Sequence, residues 1–251
     1  DTYWLDSKPT KLYKKCINNN HLHVCNGMVP LGAEDAQGQP IELCFYCRFT
    51  DIIPNLYIPE HIPLWAKMET AKRRALHTIK SLQLPLLSRH ECVDTGLVFN
   101  FCVDRDAKDH FETPLDGEEQ VFTGHDNGCI TINLAEADDV ARARTQLKLN
   151  EQYRTLLGHF RHELGHYYFD RLILPDVRKH QLCKEVFGDD EADYTLAMQR
   201  HYKDGPPADW QASFISEYAT MHPWEDWAET WAHYMHVTEA LETFADCGGI
   251  F

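Results

Sequence analysis

The sequence has few basic residues and no long apolar run. It carries 39 Asp and Glu against 24 Lys and Arg, a formal net charge of −15. This excess of acid disfavours a broad nucleic-acid surface or an anionic membrane as partner, because both are negatively charged. No stretch approaches the roughly 18 consecutive apolar residues of a membrane span, and the first residues, DTYWLDSKPTKLYKK, lack the apolar core of a secretion signal. We therefore expect no membrane contact and a cytoplasmic location.

The chain also lacks internal repeats and low-complexity tracts, and its 43% hydrophobic content can form a folded core. Residues 1–55 are rich in Cys, Asn, Gly and Pro, with a turn-rich connection at VPLGAEDAQGQP. In residues 56–251, two short runs, GLVFNFCV and CITINL, are typical of strands, and most other segments have the apolar spacing of helices. We predict an α+β protein with a Cys-rich module at 1–55 and a mostly helical domain with a short sheet at 56–251.

Proline and glycine residues mark the ends of the predicted helices. The segment LWAKMETAKRRALHTIKSLQL places apolar residues three and four apart and is followed by Pro85. The remaining predicted helices lie at 136–172, 177–187, 189–203 and 207–219 and from Pro223 onward.

Four of the nine cysteines lie near the start of the chain, at Cys16, Cys25, Cys44 and Cys47. The last two have the C-x-x-C spacing that wraps a turn around a metal ion, and His21 or His23 could replace one cysteine. Without an export signal, thiolate metal ligands are favoured over disulfides. We predict a structural zinc ion here, because so small a module has little core of its own. The other five cysteines lack ligand spacing, and we interpret them as small buried apolar side chains.

The segment GHFRHELGHYYFD contains an H-E-x-x-H motif at His162, Glu163 and His166. On a helix, residues four apart lie on one face, so both imidazoles can reach the same ion while Glu163 reaches a ligand of that ion. Two imidazoles leave zinc under-coordinated, because catalytic zinc sites usually have three protein ligands and a water molecule. A third ligand is therefore needed.

The usual short-range third ligand is missing. Phe169 and Leu172 occupy the Gly and His positions of the pattern H-E-x-x-H-x-x-G-x-x-H, which excludes that class. Asp170 would lie about 12 Å along the helix axis from His162, too far to share an ion in an unbroken helix. The ligand must come from another helix.

The helix that begins HPWEDWAETWAHYMH offers Glu225 and Glu229. Like charges four apart repel each other, and the Trp-rich surroundings predict that both carboxylates are buried. An acidic first turn could simply complement the helix dipole. Buried carboxylates need a cation or donors nearby, however, so we expect Glu225 to be the third zinc ligand and Glu229 to accept a hydrogen bond from a ligand imidazole.

An H-E-x-x-H helix followed by a distant E-x-x-x-E helix resembles the gluzincin metallopeptidases. In lethal-factor-like sites of that group, a tyrosine seven residues before the metal-binding Glu stabilises the transition state, and Tyr218 matches that position. More closely, the segments TGHDNGCITINLAEADD, YRTLLGHFRHELGHYYFDRL, FGDDEADY and YATMHPWEDWAETWAHYMH resemble a bacterial family described as "putative zinc-binding metallopeptidases" with an N-terminal zinc ribbon. The sequence departs from that family at its start, where further cysteines upstream of Cys16 are expected.

The resemblance implies a zincin-like domain and a zinc-dependent hydrolase, most simply a metallopeptidase that acts on a peptide or protein. A catalytic zinc ion would lower the pKa of its bound water to about 7, Glu163 would be the general base, and Tyr218 would stabilise the oxyanion. The run CITINL would be the edge strand of the sheet and could align an extended peptide. Two alternatives stay open, a zinc hydrolase of a non-peptide amide and a catalytically silent zinc-stabilised binding module. The binding module would not need Glu163, which is not a metal ligand.

Overall fold

The computed structural model describes residues 2–5, 8–20, 22–103, 123–139, 142–143 and 155–249. The chain divides into two compact units, one made of Asp1–Gly124 and Gly128–Ala141 and the other of His125–Asn127 and Arg142–Phe251. The boundary predicted after residue 55 falls inside the first unit, and an independent Cys-rich domain stays a prediction.

A three-stranded antiparallel sheet begins the first unit. Its strands are β1 (Tyr3–Leu5), β2 (Lys8–Lys15) and β3 (Met28–Pro30), in that spatial order. The short helix α1 (Ile17–Asn20) follows β2 directly. Val29 of β3 packs with the four N-terminal cysteines in one buried cluster.

The second sheet has the order β4-β5-β7-β6, with β5 parallel to both β4 and β7. Its strands are β4 (Thr50–Ile52), β5 (Val98–Cys102), β6 (Gly124–Asp126) and β7 (Cys129–Asn133). The two predicted strands are therefore present as β5 and β7.

The run CITINL forms β7, which lies between β5 and β6. The prediction that it is an edge strand is therefore wrong. Asn127 and Gly128, which join β6 to β7, have φ values of 44° and 81°, as a tight turn between adjacent strands requires. That turn lets the short strand β6 cover the side of β7 that was expected to be open.

Helix α2 (His61–Ser81) separates β4 from β5 and contains the predicted apolar stripe. The helix begins at His61, before the predicted segment that starts at Leu64. Pro63 falls in the first turn, where its missing backbone N–H has no helical partner to lose. Trp65, Met68, Leu76 and Ile79 are almost fully buried, as the spacing predicts.

Two charged residues, Glu69 and Lys72, are fully buried on the same helix. The Lys72 ammonium lies 2.8 Å from Glu69 Oε2, and Thr50 donates a hydrogen bond of 2.7 Å to Glu69 Oε1. The ammonium also faces the rings of Phe99 and Phe101, at 5.9 and 5.8 Å. These partners compensate the desolvation of both charges.

The second unit is mostly helical in its described residues. Its helices are α3 (Leu156–Tyr168), α4 (Val177–Phe187), α5 (Tyr194–Asp204) and α6 (Pro223–Asp246). A π-helical turn, Phe169–Ile173, continues α3. Most of the helix predicted before Leu156 lies outside the described residues.

The helix predicted at 207–219 is wrong. The segment forms only two 3-10 turns, Trp210–Ala212 and Tyr218–Thr220. Side-chain hydroxyls here bond to the local backbone, since Ser216 Oγ accepts from Ala219 N at 3.1 Å and Thr220 Oγ1 donates to a backbone carbonyl. Such bonds compete with the helical hydrogen-bond ladder.

Helices α3 and α6 pack closely through Gly165. A Cβ added there would lie 2.9 Å from the Cα of Ala228, so only glycine permits this approach. Trp227 Nε1 donates to the Gly165 carbonyl at 2.8 Å. Arg161 also bonds Glu239 through two nitrogens, at 3.1 and 2.9 Å. These contacts fix the two helices that carry the candidate metal ligands.

Roughly half of the described residues are helical, and the rest include two small sheets, which confirms the α+β class. No helix within the described ranges is both long and apolar enough to span a membrane.

Candidate metal sites

Helix α3 presents His162 and His166 on one face. Thr155 caps the helix by accepting a hydrogen bond of 2.9 Å from Gly158 N, which starts the helix just before the motif. The Nε2 atoms of the two histidines are 3.1 Å apart. The indole of Trp224 lies against the His166 ring, with centroids 3.7 Å apart.

Glu225 comes from the first turn of α6. His222 caps that helix by accepting a hydrogen bond of 3.1 Å from Trp224 N, and Pro223 occupies the first turn. Glu225 is 2% exposed. Its Oε2 lies 3.0 Å from His162 Nε2 and 3.4 Å from His166 Nε2. The structure thus brings the three expected ligands together.

The spacing of these three atoms fits a zinc ion. A tetrahedral zinc with bonds of about 2.0–2.1 Å to N and O separates its ligand atoms by about 3.3 Å. The three separations here are 3.0, 3.1 and 3.4 Å. His162 Nδ1 lies 2.7 Å from Glu229 Oε1, so its proton belongs there and the lone pair of Nε2 faces the site.

Two buried atoms without hydrogen-bond partners among the described residues also favour a zinc ion at this site. Glu225 Oε2 and His166 Nδ1 are both buried and have no well-formed hydrogen bond among the residues described. A proton on Nδ1 leaves the Nε2 lone pair of His166 pointing at Glu225. When both Nε2 atoms are unprotonated, two nitrogen lone pairs and a carboxylate oxygen converge, an arrangement that a cation stabilises.

The pKa shifts in the site indicate that it attracts positive charge. Burial opposes a charge on His162, but the carboxylates of Glu225 and Glu229 outweigh it and raise the pKa of His162 well above its usual value. Burial likewise opposes the charge of Glu225, but His166 and His162 hold the pKa of this carboxyl well below its usual range. The carboxylate therefore stays ionised among the imidazoles.

Glu163 is 4% exposed and lies beside the candidate ligands on α3. Its Oε1 is 3.4 Å from His159 Nε2, and its Oε2 is buried with no hydrogen-bond partner in the described part of the chain. Burial raises the pKa of Glu163, but His159, His162 and His166 outweigh burial and lower it. The group is ionised and has one acceptor oxygen unused.

Tyr218 lies in the 3-10 turn before α6, with its ring 6.0 Å from that of His162. Burial, and then the charge of Glu225, raise the pKa of Tyr218 far above its usual value. Its hydroxyl is therefore protonated and can donate a hydrogen bond.

Sequence reasoning missed Tyr194, the first residue of α5. Its hydroxyl donates a hydrogen bond of 2.8 Å to Glu225 Oε1. Burial and the nearby Glu225 carboxylate raise the pKa of Tyr194. The one local signal was the helix cap at Asp193, which marks the start of a helix but not what its first residue contacts.

A cavity of about 300 Å³ adjoins this site. Two of its lining residues contact candidate ligands: Tyr194 bonds to Glu225, and Trp224 packs against His166. The other lining residues are Phe169, Asp170, Leu174, Asp190 and His222.

The N-terminal cysteines form a second candidate metal site. Cys16, Cys25, Cys44 and Cys47 are buried, are not in disulfides, and place their Sγ atoms within 4.8 Å of one another. Zinc–sulfur bonds of about 2.3 Å would put these atoms about 3.8 Å apart, and Cys25 Sγ and Cys44 Sγ are separated by 3.6 Å.

Backbone donors and a glycine shape the cysteine cluster. Gly27 N donates to Cys25 Sγ at 3.0 Å, and Cys44 N donates to Cys16 Sγ at 3.3 Å. A Cβ at Gly27 would lie 2.4 Å from Cys44 Sγ, so glycine is required there. Hydrogen bonding within the cluster, first with Cys25, lowers the pKa of Cys16 to about 7, whereas hydrogen bonding, first with Cys16, raises the pKa of Cys25 and of Cys47. His23 is not part of the group, and His21 lies outside the described residues.

Among the other cysteines, Cys183 is buried as predicted. Cys247 is exposed, so the prediction of burial is wrong for this residue, which follows α6 at the end of the described chain. Cys92, Cys102 and Cys129 are partly buried.

Comparison with known proteins agrees with the chemistry of the His–Glu site. Residues 61–250 match a family model described as "Putative zinc-binding metallo-peptidase". Uncharacterized proteins of Mycobacterium bovis and Mycobacterium tuberculosis are each 45% identical over 230 residues, which cover 92% of this chain. The chain spans 62% of the length of these curated relatives. No solved structure matches it. With that match over most of its length, the chain belongs to the family that this model describes as "Putative zinc-binding metallo-peptidase".

Proposed function

We propose that the protein is a zinc-dependent peptidase of the gluzincin type, with a zincin-like domain and a catalytic zinc ion held by His162, His166 and Glu225. The observation that carries the proposal is the convergence of three ligand atoms, 3.0–3.4 Å apart, from two separate helices. Glu163, which is not a ligand, lies within the same motif with a buried and unpaired oxygen.

When bound, zinc acts as a Lewis acid and lowers the pKa of a coordinated water to about 7. Glu163 accepts the proton of the attacking water at Oε2 and later delivers it to the leaving amine. Tyr218 donates a hydrogen bond to the oxyanion that develops on the peptide carbonyl. Glu229 accepts the Nδ1 proton of His162 and so keeps Nε2 unprotonated and oriented.

The four-cysteine cluster holds a second, structural zinc ion in this proposal. Buried thiolates within 4.8 Å of one another repel unless a cation neutralises them. The backbone N–H groups of Gly27 and Cys44 that point at sulfur stabilise the ionised form.

The substrate we propose is a peptide or protein. The cavity of about 300 Å³ is large enough for one amino-acid side chain, and two of its lining residues, Tyr194 and Trp224, contact the proposed ligands Glu225 and His166. A catalytically silent binding module would gain nothing from a buried carboxylate with one unpaired oxygen at Glu163, because this residue is not one of the proposed metal ligands.

The test replaces Glu163 and follows metal and turnover separately. Purified protein should contain zinc and hydrolyse members of an unbiased peptide library. Glu163→Gln should retain the zinc and lose turnover, because an amide cannot accept the proton. Glu242→Gln, at an exposed position on α6, is the matched control and should leave both unchanged. Unchanged hydrolysis by Glu163→Gln would refute the assigned base.

A further inference from the structure

The two oxygens of the Glu225 carboxylate have different partners. Oε1 accepts a hydrogen bond of 2.8 Å from the hydroxyl of Tyr194. Oε2 faces the imidazoles, 3.0 Å from His162 Nε2 and 3.4 Å from His166 Nε2. One oxygen is therefore engaged by a neutral donor, and the other is left for the imidazoles and a cation between them.

Tyr194 is itself held in place by two elements. Asp193 caps α5 by accepting a hydrogen bond of 2.9 Å from Leu196 N, which fixes the backbone of the helix start. The Tyr194 ring makes edge contacts with His222 and Trp224, with centroids 5.3 and 6.0 Å apart. Both residues lie at the start of α6, beside Glu225. The hydroxyl is thus aimed by rigid surroundings.

We propose that Tyr194 is a positioning residue that makes Glu225 a one-oxygen ligand of the catalytic zinc ion. The inference rests on the proposed zinc site. A carboxylate can bind zinc through one or both oxygens, and a hydrogen bond to Oε1 both opposes the second bond and fixes the plane of the group. Tyr194 has this effect without contacting the metal, so its role differs from that proposed for Tyr218.

Tyr194→Phe removes the hydroxyl, with its bonds to Glu225 and to Tyr218, and retains the ring and its contacts with His222 and Trp224. Tyr234→Phe is the matched control, since Tyr234 lies on α6 but is 59% exposed. The catalytic zinc is removed from the full chain with a chelator, under conditions in which elemental analysis shows that the cysteine-bound zinc stays. Zinc is then titrated back against a competing indicator.

Two results are expected of Tyr194→Phe. Its zinc affinity at the His–Glu site should fall about 10- to 100-fold, the usual effect of losing an outer hydrogen bond to a ligand. With Co²⁺ in place of zinc, its visible absorption should weaken, because a second Glu225 oxygen raises the coordination number. Tyr234→Phe should match the wild type in both measurements.

A double-mutant cycle separates positioning from a general loss of folding. In a Glu225→Ala background, Tyr194→Phe should no longer weaken the residual binding of zinc, because its target oxygen is gone. An equal loss in both backgrounds overturns the inference. The inference is also overturned if Tyr194→Phe has the zinc affinity and the cobalt spectrum of the wild type. In that case the proposed function stands. If the wild type binds no metal beyond the cysteine cluster, the proposed function and this inference both fail.

Discussion

Replacing Gly165 with Ala should weaken both the fold and the metal site. The added Cβ would lie 2.9 Å from the Ala228 Cα and 3.2 Å from the Trp231 Cβ. The closer atom is backbone and cannot rotate away, so α3 and α6 must move apart. Because α3 carries His162 and α6 carries Glu225, that movement separates two of the proposed metal ligands.

The expected change in the free energy of unfolding combines two opposing effects. Overpacking a close helix contact typically costs about 1–3 kcal/mol. Alanine is favoured over glycine inside a helix by about 1 kcal/mol, which offsets part of that cost. We expect a net loss of up to about 2 kcal/mol in the free energy of unfolding, which lowers Tm by up to about 8 °C.

The assay is thermal unfolding with a parallel zinc titration. Gly124→Ala is the control, because a Cβ there meets no atom within 4 Å. It should leave both Tm and zinc affinity unchanged, whereas Gly165→Ala should lower both. A Gly165→Ala protein that melts at or above the wild-type temperature and binds zinc equally well would refute the argument that this glycine sets the distance between the ligand helices.

Three other substitutions separate catalysis, metal binding and packing. Tyr218→Phe should lower kcat by about 10²–10³ and leave the zinc content unchanged, because it removes one oxyanion donor; loss of zinc would point to a structural role instead. Cys44→Ser should release the structural zinc, measured by elemental analysis, and retained zinc would contradict the four-thiolate site. Lys72→Ala should destabilise the protein by about 3–5 kcal/mol in denaturant unfolding, since it strands the buried Glu69 charge, and a loss below about 1 kcal/mol would contradict the buried pair.

The parts of the site that could be predicted from sequence are those set by short-range geometry. Helical spacing alone brings His162 and His166 to one face, and the charge repulsion between Glu225 and Glu229 indicates that both need partners. In the structure the first of these carboxylates lies at the imidazole Nε2 atoms and the second at His162 Nδ1. Helices α2 and α6 were predicted for the same reason, because their apolar patterns are strong.

What could not be predicted depends on contacts between distant segments. Tyr194 reaches Glu225 across 31 positions of sequence, and no local pattern links them. The buried Lys72 pairs with Glu69 on its own helix, but the rings of Phe99 and Phe101 that it also faces belong to another element. The edge of a sheet is likewise set by strand order, so the place of CITINL beside β6 could not be read from the run itself.

Zinc stoichiometry in the wild type and in Glu225→Ala tests the central claim most directly. Both proteins are purified in parallel, dialysed against a moderate chelator and analysed for metal per chain. The account predicts that the wild type keeps zinc at both ligand groups and that Glu225→Ala keeps only the cysteine-bound ion. Equal zinc content in the two proteins would contradict the assignment of Glu225 as the ligand that joins the two helices.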